Sequence, residues 1–212
     1  LTTADIESCF QKIDAEVLHQ FKEVYKEGEI KKGRNLLAFE VAKRNVYNFL
    51  KLEKAALENG DQVQIIALEQ TYERLLEDNR LPIPVLIKGN VDRIELRNGK
   101  IRIIDYKTGK VEQKNVTLKD WKGLTEDIKN DKIIQILAYA FMFEKETKGL
   151  EMEAGIISFK NLNAGFLPFT FKPEKEAQSV INAEIMEAYL EEIVVLLQTI
   201  FNQDIAFEEK TN

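Results

Sequence analysis

The sequence predicts one α/β or α+β domain with a central sheet and flanking helices, on the basis of three observations. Apolar residues recur at helical spacing towards both ends of the 212-residue chain, which is typical of amphipathic helices. Between these regions, β-branched residues flank Asn98-Gly99, a dipeptide that strongly indicates a two-residue hairpin turn. No internal repeat or change of composition divides residues 1–212, so we expect a single domain.

Helical spacing predicts four helices, two of which carry end signals. Thr2 or Thr3 can cap the first helix, and Gly28 can end it. Asn59-Gly60 can end the second helix in a left-handed conformation. The predicted helices span residues 4–27, 34–58, 131–146 and 174–202.

After the second helix the pattern changes to the period of two that is typical of strands. Pro82-Ile83-Pro84 opens a β-rich stretch, because proline fixes φ and restricts the residue before it. Residues 111–130 predict a polar loop anchored by Leu118, Trp121 and Leu124. The predicted strands span residues 63–72, 85–96 and 101–106, followed by a strand pair within 155–171 that turns near 163–165. The predicted parts are a helical lead-in (1–58), the sheet with its hairpin and third helix (60–171), and the C-terminal helix (174–202).

Composition excludes several classes of protein. Cys9 is the only cysteine, which rules out a disulfide within the chain, a cysteine-based zinc site and a four-cysteine iron-sulfur cluster. No apolar run approaches the roughly 20 residues that span a bilayer, and the N-terminus has no signal-peptide pattern. We therefore expect a soluble, intracellular protein without a membrane partner.

Charge gives two opposing indications about nucleic acid. The net charge of −6 argues against a protein that coats nucleic acid, since non-specific phosphate binding needs a basic surface. Residues 97–132, however, hold ten Lys and Arg residues against six Asp and Glu residues. This local excess fits either a basic rim that holds phosphates or an ordinary solvated loop. Trp121 either stacks on an unpaired base or anchors that loop to the core.

The hairpin turn sets which residues face each other. With a two-residue turn at Asn98-Gly99, Asp92 lies opposite Asp105. Period-two alternation then separates two faces of the hairpin. One face carries Asp92, Ile94, Leu96, Ile101, Ile103, Asp105 and Lys107, and the other carries Val91, Arg93, Glu95, Arg102 and Ile104.

Two carboxylates directly opposite each other destabilise a sheet unless their charge is compensated. A divalent cation can compensate it, because carboxylate oxygens at about 2.0–2.1 Å suit Mg²⁺. Lys107 would then hold its ammonium group beside the metal, where it can orient a water or stabilise charge on a phosphate. The alternative is a set of ordinary ion pairs. Since Arg93 and Arg102 are predicted to lie on the opposite face, only Lys107 remains to neutralise both acids.

Three segments in and after the hairpin carry recognisable motifs. Residues 89–95 fit G-x-x-D-R-x-D/E, residues 103–109 contain D-Y-K-T-G, and residues 135–139 fit Q-x-x-x-Y. Together and in this order they resemble the RecB-type nuclease domains of the PD-(D/E)XK superfamily, and most of all the AddB-like or RecB-like domains of bacterial helicase-nuclease repair enzymes. The resemblance implies a restriction-endonuclease-like fold, in which a catalytic β-hairpin belongs to a central mixed sheet flanked by helices.

The resemblance also implies a metal centre on the hairpin. Asp92 and Asp105 would bind a catalytic Mg²⁺ or Mn²⁺, and the main-chain carbonyl of Tyr106 would complete the metal shell. Lys107 would activate or position the attacking water.

Three further residues have an implied supporting role. Gln135 and Tyr139, one turn apart on one helix face, resemble the pair that closes the active site beside the DNA backbone. Without the motif they would be a buried glutamine and a packed tyrosine. Glu69 lies where many relatives have an acid, and it is either an active-site residue or a solvated strand residue.

Two departures from the family pattern concern His and Cys. Relatives usually carry a metal-binding His in an upstream G-x-x-x-H helix, whereas His19 follows Ala15 at that spacing. His19 is either a structural residue or the metal ligand, and the alternative is that the chain is a piece of a larger protein that begins after the His helix. Some relatives bind an iron-sulfur cluster through cysteines beyond the last helix, and we expect no iron-sulfur cluster within this chain.

The sequence thus predicts a Mg²⁺- or Mn²⁺-dependent DNA nuclease, more specifically an exonuclease of recombinational repair in the bacterial cytoplasm. Its expected partners are single-stranded DNA ends and a helicase domain or subunit. One alternative is an inactive nuclease-fold module that binds DNA or scaffolds a helicase-nuclease complex. Another is a helical interaction domain built on the acidic C-terminal helix.

Overall fold

The computed structural model describes residues 1–26 and 32–206, within which helices cover a mixed β-sheet. The α-helices are α1 (Thr3–Phe10), α2 (Ile13–Tyr25), α3 (Gly33–Glu58), α4 (Asp131–Phe143) and α5 (Ala183–Phe201). The strands are β1 (Val63–Leu76), β2 (Val85–Arg97), β3 (Lys100–Lys107), β4 (Thr117–Leu118), β5 (Met152–Ser158), β6 (Phe166–Pro168) and β7 (Thr170–Phe171).

The main sheet has five strands in the order β1-β2-β3-β5-β6. β3 and β5 are parallel, and the other neighbours are antiparallel. The chain between the two parallel strands contains α4, as a crossover connection requires. β4 and β7 form a separate parallel pair. The predicted mixed sheet with flanking helices is confirmed.

The predicted hairpin turn is also confirmed. Asn98 has φ 51° and Gly99 has φ 82°, and a type I′ turn needs positive φ at both central residues. The side-chain oxygen of Asn98 accepts a hydrogen bond of 2.8 Å from the main-chain N–H of Gln62. The turn is therefore tied to the start of β1, and the register of the hairpin begins from a fixed point.

One face of the sheet carries the apolar core. α4 contacts β1, β2, β3 and β5, and its residues Ile136, Leu137 and Ala140 have no exposed surface. α5 packs on α4, where the Tyr189 hydroxyl donates to the carbonyl of Ile134 at 3.2 Å. The position of α4 over the sheet is thus fixed from both sides.

The other face is covered by α3 and a 3-10 segment at residues 159–164. The ring of Phe49 on α3 meets Tyr106 and Phe159 edge-on, with centroids 5.5 and 6.1 Å away. α1 and α2 contact α3. α3 therefore lies between these two helices and the hairpin.

The prediction of one helix over residues 4–27 is wrong, because α1 and α2 are separated at residues 11 and 12. No Gly or Pro marks this turn. It allows both short helices to pack on α3, with Ile6 and Ile13 buried. Thr2 caps α1 in a capping box with Asp5, whereas the predicted end at Gly28 lies outside the described residues.

The C-terminal helix begins at residue 183 and not at 174. The preceding segment bonds to the sheet, since the N–H of Ile181 donates to the carbonyl of Met152 at 2.8 Å. Asn182 then caps α5 through its side chain. The loop predicted at 111–130 contains β4 and two short 3-10 helices, and the third predicted helix ends as a 3-10 turn at 144–146. Within the described residues, no helix combines the length and apolar character needed to cross a bilayer.

Candidate active site

The ladder between β2 and β3 stops one pair before Asp92 and Asp105. Its five pairs run from the turn to Arg93–Ile104, in the predicted register. Beyond this point β3 continues to pair with β5. The two carboxylates therefore follow the last hairpin pair, at the point where β2 and β3 part.

Asp92 supplies a hydrogen-bond acceptor at this parting. Its Oδ2 accepts a hydrogen bond of 2.7 Å from the main-chain N–H of Tyr106. The carboxylate thus takes the place of a main-chain carbonyl that the ladder no longer provides. Asp92 is half-buried, so its second oxygen borders a space that solvent can reach.

Asp105 is a buried acid with an incompletely bonded oxygen. Only 3% of its surface is exposed. Its Oδ2 lies 2.9 Å from Nζ of Lys107, but this contact lacks hydrogen-bond geometry, and Oδ2 has no hydrogen-bond partner in the described part of the chain. Burial raises the pKa of Asp105, Lys107 opposes the rise, and Asp92 adds to it.

This donor set suits a hard divalent cation. A buried carboxylate oxygen without a hydrogen bond, next to a second carboxylate, offers the ligands that Mg²⁺ prefers. Among residues 1–26 and 32–206, no three His, Cys, Asp or Glu side chains gather into a metal-binding group. Mg²⁺ usually binds through one or two carboxylates and keeps several waters, so a pair of acids is sufficient.

Lys107 belongs to a chain of contacts that reaches α4. Its Nζ donates to Oε1 of Gln135 at 2.8 Å. Nε2 of Gln135 in turn donates to the hydroxyl of Tyr139 at 2.8 Å. The two α4 residues and Lys107 are thereby brought together with Asp105.

Glu69 lies opposite Asp92, because the pairs Leu68–Arg93 and Gln70–Val91 flank this position in the β1–β2 ladder. Glu69 is exposed and has φ 48°, a left-handed conformation that is uncommon for residues other than glycine. Its Oε2 accepts a hydrogen bond of 3.0 Å from the side chain of Asn90.

The surroundings of Tyr139 relate all three acids to the site. Burial raises the pKa of Tyr139, Gln135 opposes the rise, and the charges of Asp105, Asp92 and Glu69 add to it. All three acids are therefore close enough to the Tyr139 hydroxyl to affect its pKa. Glu69 is the exposed one of the three and lies at the edge of the site.

The alternation of side chains in β2 changes phase at Asp92. The prediction that Val91 lies on the face opposite Ile94 is wrong, since both belong to the same buried core. A Cβ at Gly89 would likewise lie 3.0 Å from Cε1 of Tyr139 on α4. Glu69, opposite Asp92, has a left-handed backbone, so the ladder with β1 is irregular where the phase changes.

His19 is not brought to this site by any described contact. It is exposed on α2, which packs on α3. Cys9 is exposed as well. The described site therefore consists of carboxylates, an ammonium group, an amide and a phenol.

The basic rim is smaller than the sequence count indicates. Arg97 is buried on the reverse face of the hairpin, and Arg102 lies there with Glu153. Lys110 and Lys114 both pair with Glu112. Lys132 at the start of α4 lowers the pKa of Asp105 through its charge, although this effect is smaller than that of Lys107. Lys132 also pairs with Asp131 at 3.0 Å, so its positive charge beside the candidate site is partly balanced.

Trp121 anchors its loop to the core. Its ring stacks on Phe171, with centroids 5.3 Å apart, and lies tilted against Phe169 at 6.0 Å. Leu118 and Leu124 are buried, as the anchor pattern predicts. Trp121 thus has aromatic stacking partners within the protein, as expected for a residue that anchors the loop.

The reverse face of the hairpin carries a buried cluster of charges that the sequence did not predict. There Arg93, Glu95 and Arg97 are buried together with Glu53 of α3. A signal was present, because opposite charges alternate at positions 93, 95 and 97 of one strand face. Such a pattern indicates ion pairing along a strand, but the helical partner could not be read from it.

Comparison with known proteins identifies the family. The sequence model of the PD-(D/E)XK nuclease superfamily matches residues 3–212. No curated protein matched the chain. The mixed sheet flanked by helices is consistent with a restriction-endonuclease-like fold. The chain belongs to the PD-(D/E)XK nuclease superfamily.

Proposed function

We propose that this protein is a divalent-metal-dependent deoxyribonuclease with Asp92, Asp105 and Lys107 at its centre. The observation that carries the proposal is Oδ2 of Asp105, which is buried, has an ammonium group at 2.9 Å and lacks a hydrogen bond. Its ionic contact with Lys107 leaves a lone pair without a hydrogen bond, and a hard divalent cation can bind that lone pair. Family membership supports a nuclease in general.

Asp92, Asp105 and the main-chain carbonyl of Tyr106 would hold Mg²⁺ or Mn²⁺. The bound ion would supply a Lewis acid that activates water and neutralises charge on the phosphodiester. Asp92 already uses Oδ2 to accept the N–H of Tyr106. This bond ties β2 to β3 next to both carboxylates, which would support their binding of one ion.

Lys107 positions the substrate or the attacking water. An ammonium group has three N–H donors, and Gln135 accepts one of them at 2.8 Å. A remaining donor can bind a phosphodiester oxygen or hold the attacking water. Gln135 is itself fixed by Tyr139, so the direction of the ammonium group is set before DNA binds. Such preorganised charge lowers the barrier most where the phosphate gains charge.

DNA would approach over α4 and the charged residue at its start. Lys132 precedes Gln135 by one helical turn and acts on Asp105 through its charge. A lysine here can hold the phosphate next to the one being cleaved.

The finer assignment rests on the motif resemblance at residues 89–95, 103–109 and 135–139. It comprises an exonuclease of the AddB-like or RecB-like type that acts on single-stranded ends. It also comprises a helicase partner, a role in recombinational repair and a bacterial cytoplasmic location.

Incubation with linear and circular DNA in the presence of Mg²⁺ or Mn²⁺ tests the proposal. We expect cleavage that needs the metal and a free end, and that is lost in Asp92→Asn and Asp105→Asn. Asp120→Asn is a matched control, since Asp120 is exposed and accepts a hydrogen bond from the N–H of Lys122 in its own loop. Equal cleavage by the control and the two site variants would contradict the proposed centre.

A nuclease-fold module without activity is the second candidate, because His19 lies exposed on α2 and no third metal-binding side chain joins Asp92 and Asp105 among the described residues. Titration with Mn²⁺ separates the two functions. Binding of DNA without Mn²⁺ binding or cleavage would favour the inactive module.

A further inference from the structure

The one buried side chain of α3 is a carboxylate. Glu53 has 7% of its surface exposed, and the other residues of this helix are half-buried or exposed. A helix normally turns apolar residues towards a sheet. Burial of a charge is tolerated where the charge is paired and hydrogen-bonded, so the partners of Glu53 decide how α3 meets the hairpin.

Those partners are two arginines on the reverse face of β2. Oε2 of Glu53 lies 2.9 Å from Nη2 of Arg93, and Oε1 lies 2.8 Å from Nη2 of Arg97. Glu95, between the two arginines, contacts both, and its Oε1 accepts from Nε of Arg97 at 2.7 Å. Asp61 accepts from Nη1 of Arg97 at 2.9 Å. The junction between α3 and β2 is therefore a buried ionic network.

Such a network is a weak source of stability relative to apolar packing, because the cost of desolvation offsets the attraction of the charges. Its groups instead demand specific positions, since each guanidinium group has a planar set of donors. The network thus fixes how α3 and β2 are placed relative to each other.

The network reaches the candidate active site through Tyr106. Arg93 directly follows Asp92, and its Nη1 donates to the Tyr106 hydroxyl at 3.3 Å. At its other end, the main-chain N–H of Tyr106 donates to Asp92 at 2.7 Å. The ring between these bonds stacks on Phe159 and meets Phe49 of α3 edge-on. Tyr106 is thus bound to the ionic network through its hydroxyl and to Asp92 of the candidate site through its main-chain N–H.

We propose that Glu53 is a positioning residue for the active site. It holds Arg93, which fixes Tyr106, and Tyr106 sets the spacing between the carboxylates of Asp92 and Asp105. This inference rests on the proposed function, because it assigns to the helical lead-in a part in building the same metal centre. The positioning role of Glu53 differs from a purely structural role in one respect. A loosened network changes the metal site even where the protein remains folded.

The test compares Glu53→Gln with Glu58→Gln in the whole chain. Glu58 lies on the same helix but is exposed and pairs with Lys54, so the control removes the same charge away from the network. Titration with MnCl₂ by calorimetry is made well below the melting temperature of each variant. We expect Glu53→Gln to bind Mn²⁺ about 10-fold more weakly, as loss of a supporting residue around a metal site does, and Glu58→Gln to bind as the wild type.

Cleavage kinetics give a second readout. With the wild type active, we expect Glu53→Gln to lower kcat while KM for DNA stays close to that of the wild type. A folded Glu53→Gln protein with wild-type Mn²⁺ affinity overturns the inference. If the wild type itself binds no Mn²⁺, the proposed function fails and this inference fails with it. If the wild type binds Mn²⁺ and the two variants bind it with equal affinity, the inference alone fails.

Tyr106→Phe tests the same positioning role if Glu53→Gln does not fold. It removes the hydroxyl that accepts from Arg93 and leaves the ring contacts and the ion pairs of Glu53 in place. We expect weaker Mn²⁺ binding by the folded Tyr106→Phe protein. Unchanged binding would overturn the inference.

Discussion

The carboxylate of Asp92 accepts the main-chain N–H of Tyr106 at 2.7 Å, across the point at which β2 and β3 stop pairing. One side chain therefore closes a gap in the sheet and also borders the candidate metal site. These two roles depend on different properties of the side chain. The hydrogen bond needs an acceptor oxygen, whereas a cation needs negative charge.

Substitution of Asp92 separates the two roles. Asp92→Asn keeps an acceptor oxygen, so we expect a small loss in the free energy of unfolding. Asp92→Ala leaves the N–H of Tyr106 without its partner, and we expect it to lose about 1–3 kcal/mol. Both variants should lose Mn²⁺ binding. Urea unfolding and Mn²⁺ titration measure the two effects, and equal stability of the variants would show that the bond to Tyr106 contributes little.

The contacts from Lys107 to α4 predict an order of effects. Gln135→Met keeps the length of the side chain but leaves Lys107 without its amide partner, and we expect kcat to fall by about 10- to 100-fold. Tyr139→Phe removes only the hydroxyl that accepts from Gln135, so its loss should be smaller. Steady-state cleavage kinetics give both values. A larger loss in Tyr139→Phe would mean that the hydroxyl acts on DNA directly and not through Gln135.

The close approach of Gly89 to α4 predicts a packing defect. A Cβ at Gly89 would lie 3.0 Å from Cε1 of Tyr139 and 3.1 Å from Cε of Met142. We expect Gly89→Ala to lower the free energy of unfolding by about 1–3 kcal/mol and to reduce cleavage by displacing Tyr139. Thermal unfolding and kinetics of the same preparation check this.

Gly155→Ala provides the contrast for this prediction. A Cβ there would meet the main-chain carbonyl oxygen of Leu167 at 2.3 Å, so β5 and β6 must move apart. We expect a larger loss of stability than in Gly89→Ala. A Gly155→Ala protein that remains folded should keep more cleavage activity than Gly89→Ala. If Gly89→Ala keeps more activity instead, its effect does not come from displacement of Tyr139.

The contacts of Asp78 with Arg80 predict that Asp78 contributes to stability in a pH-dependent way. Hydrogen bonds from Arg80 lower the pKa of Asp78 to about 2, and Arg80 also donates to Glu191 of α5 at 2.6 Å. A lowered pKa stabilises the fold above the ordinary pKa of Asp, and this contribution is lost as the pH falls towards 2. We expect Asp78→Asn to be less stable than the wild type at pH 7. Urea unfolding from pH 7 down to pH 2 should show the difference shrinking, and a constant difference would exclude this linkage.

Local chemistry made part of the fold predictable from the sequence. Asn98-Gly99 specifies its own turn because both residues adopt positive φ readily, and the turn then sets the register. The division between α1 and α2 was not predictable in this way, because no Gly or Pro marks it. The start of α5 has a local signal in its cap residue Asn182, but the extended segment before it depends on long-range contacts such as the bond from Ile181 to Met152.

The same distinction applies to the candidate site. Strand alternation places Asp105 and Lys107 on one face, and helical spacing places Gln135 one turn from Tyr139. Only the motif resemblance implied that these two pairs meet, and the structure joins them in one chain of contacts. The phase change at Asp92 was not predictable, because strand alternation assumes a regular ladder and the neighbouring Glu69 has a left-handed backbone. Glu53 was not predictable either, since a helix periodicity does not indicate which strand residue its carboxylate will meet.

The backbone of Glu69 permits a test of this acid that separates its conformation from its charge. At φ 48° a residue with a Cβ is strained, and glycine is not. We expect Glu69→Gly to be about 1 kcal/mol more stable than Glu69→Gln, because only the first relieves the strain. As a supporting residue of the active site, Glu69 should give weaker Mn²⁺ binding and slower cleavage in both variants. Glu73→Gln is the control, since Glu73 is exposed on the same strand and pairs with Lys88. If Glu69→Gln binds Mn²⁺ and cleaves DNA as this control does, Glu69 is a solvated strand residue whose contribution lies in its backbone alone.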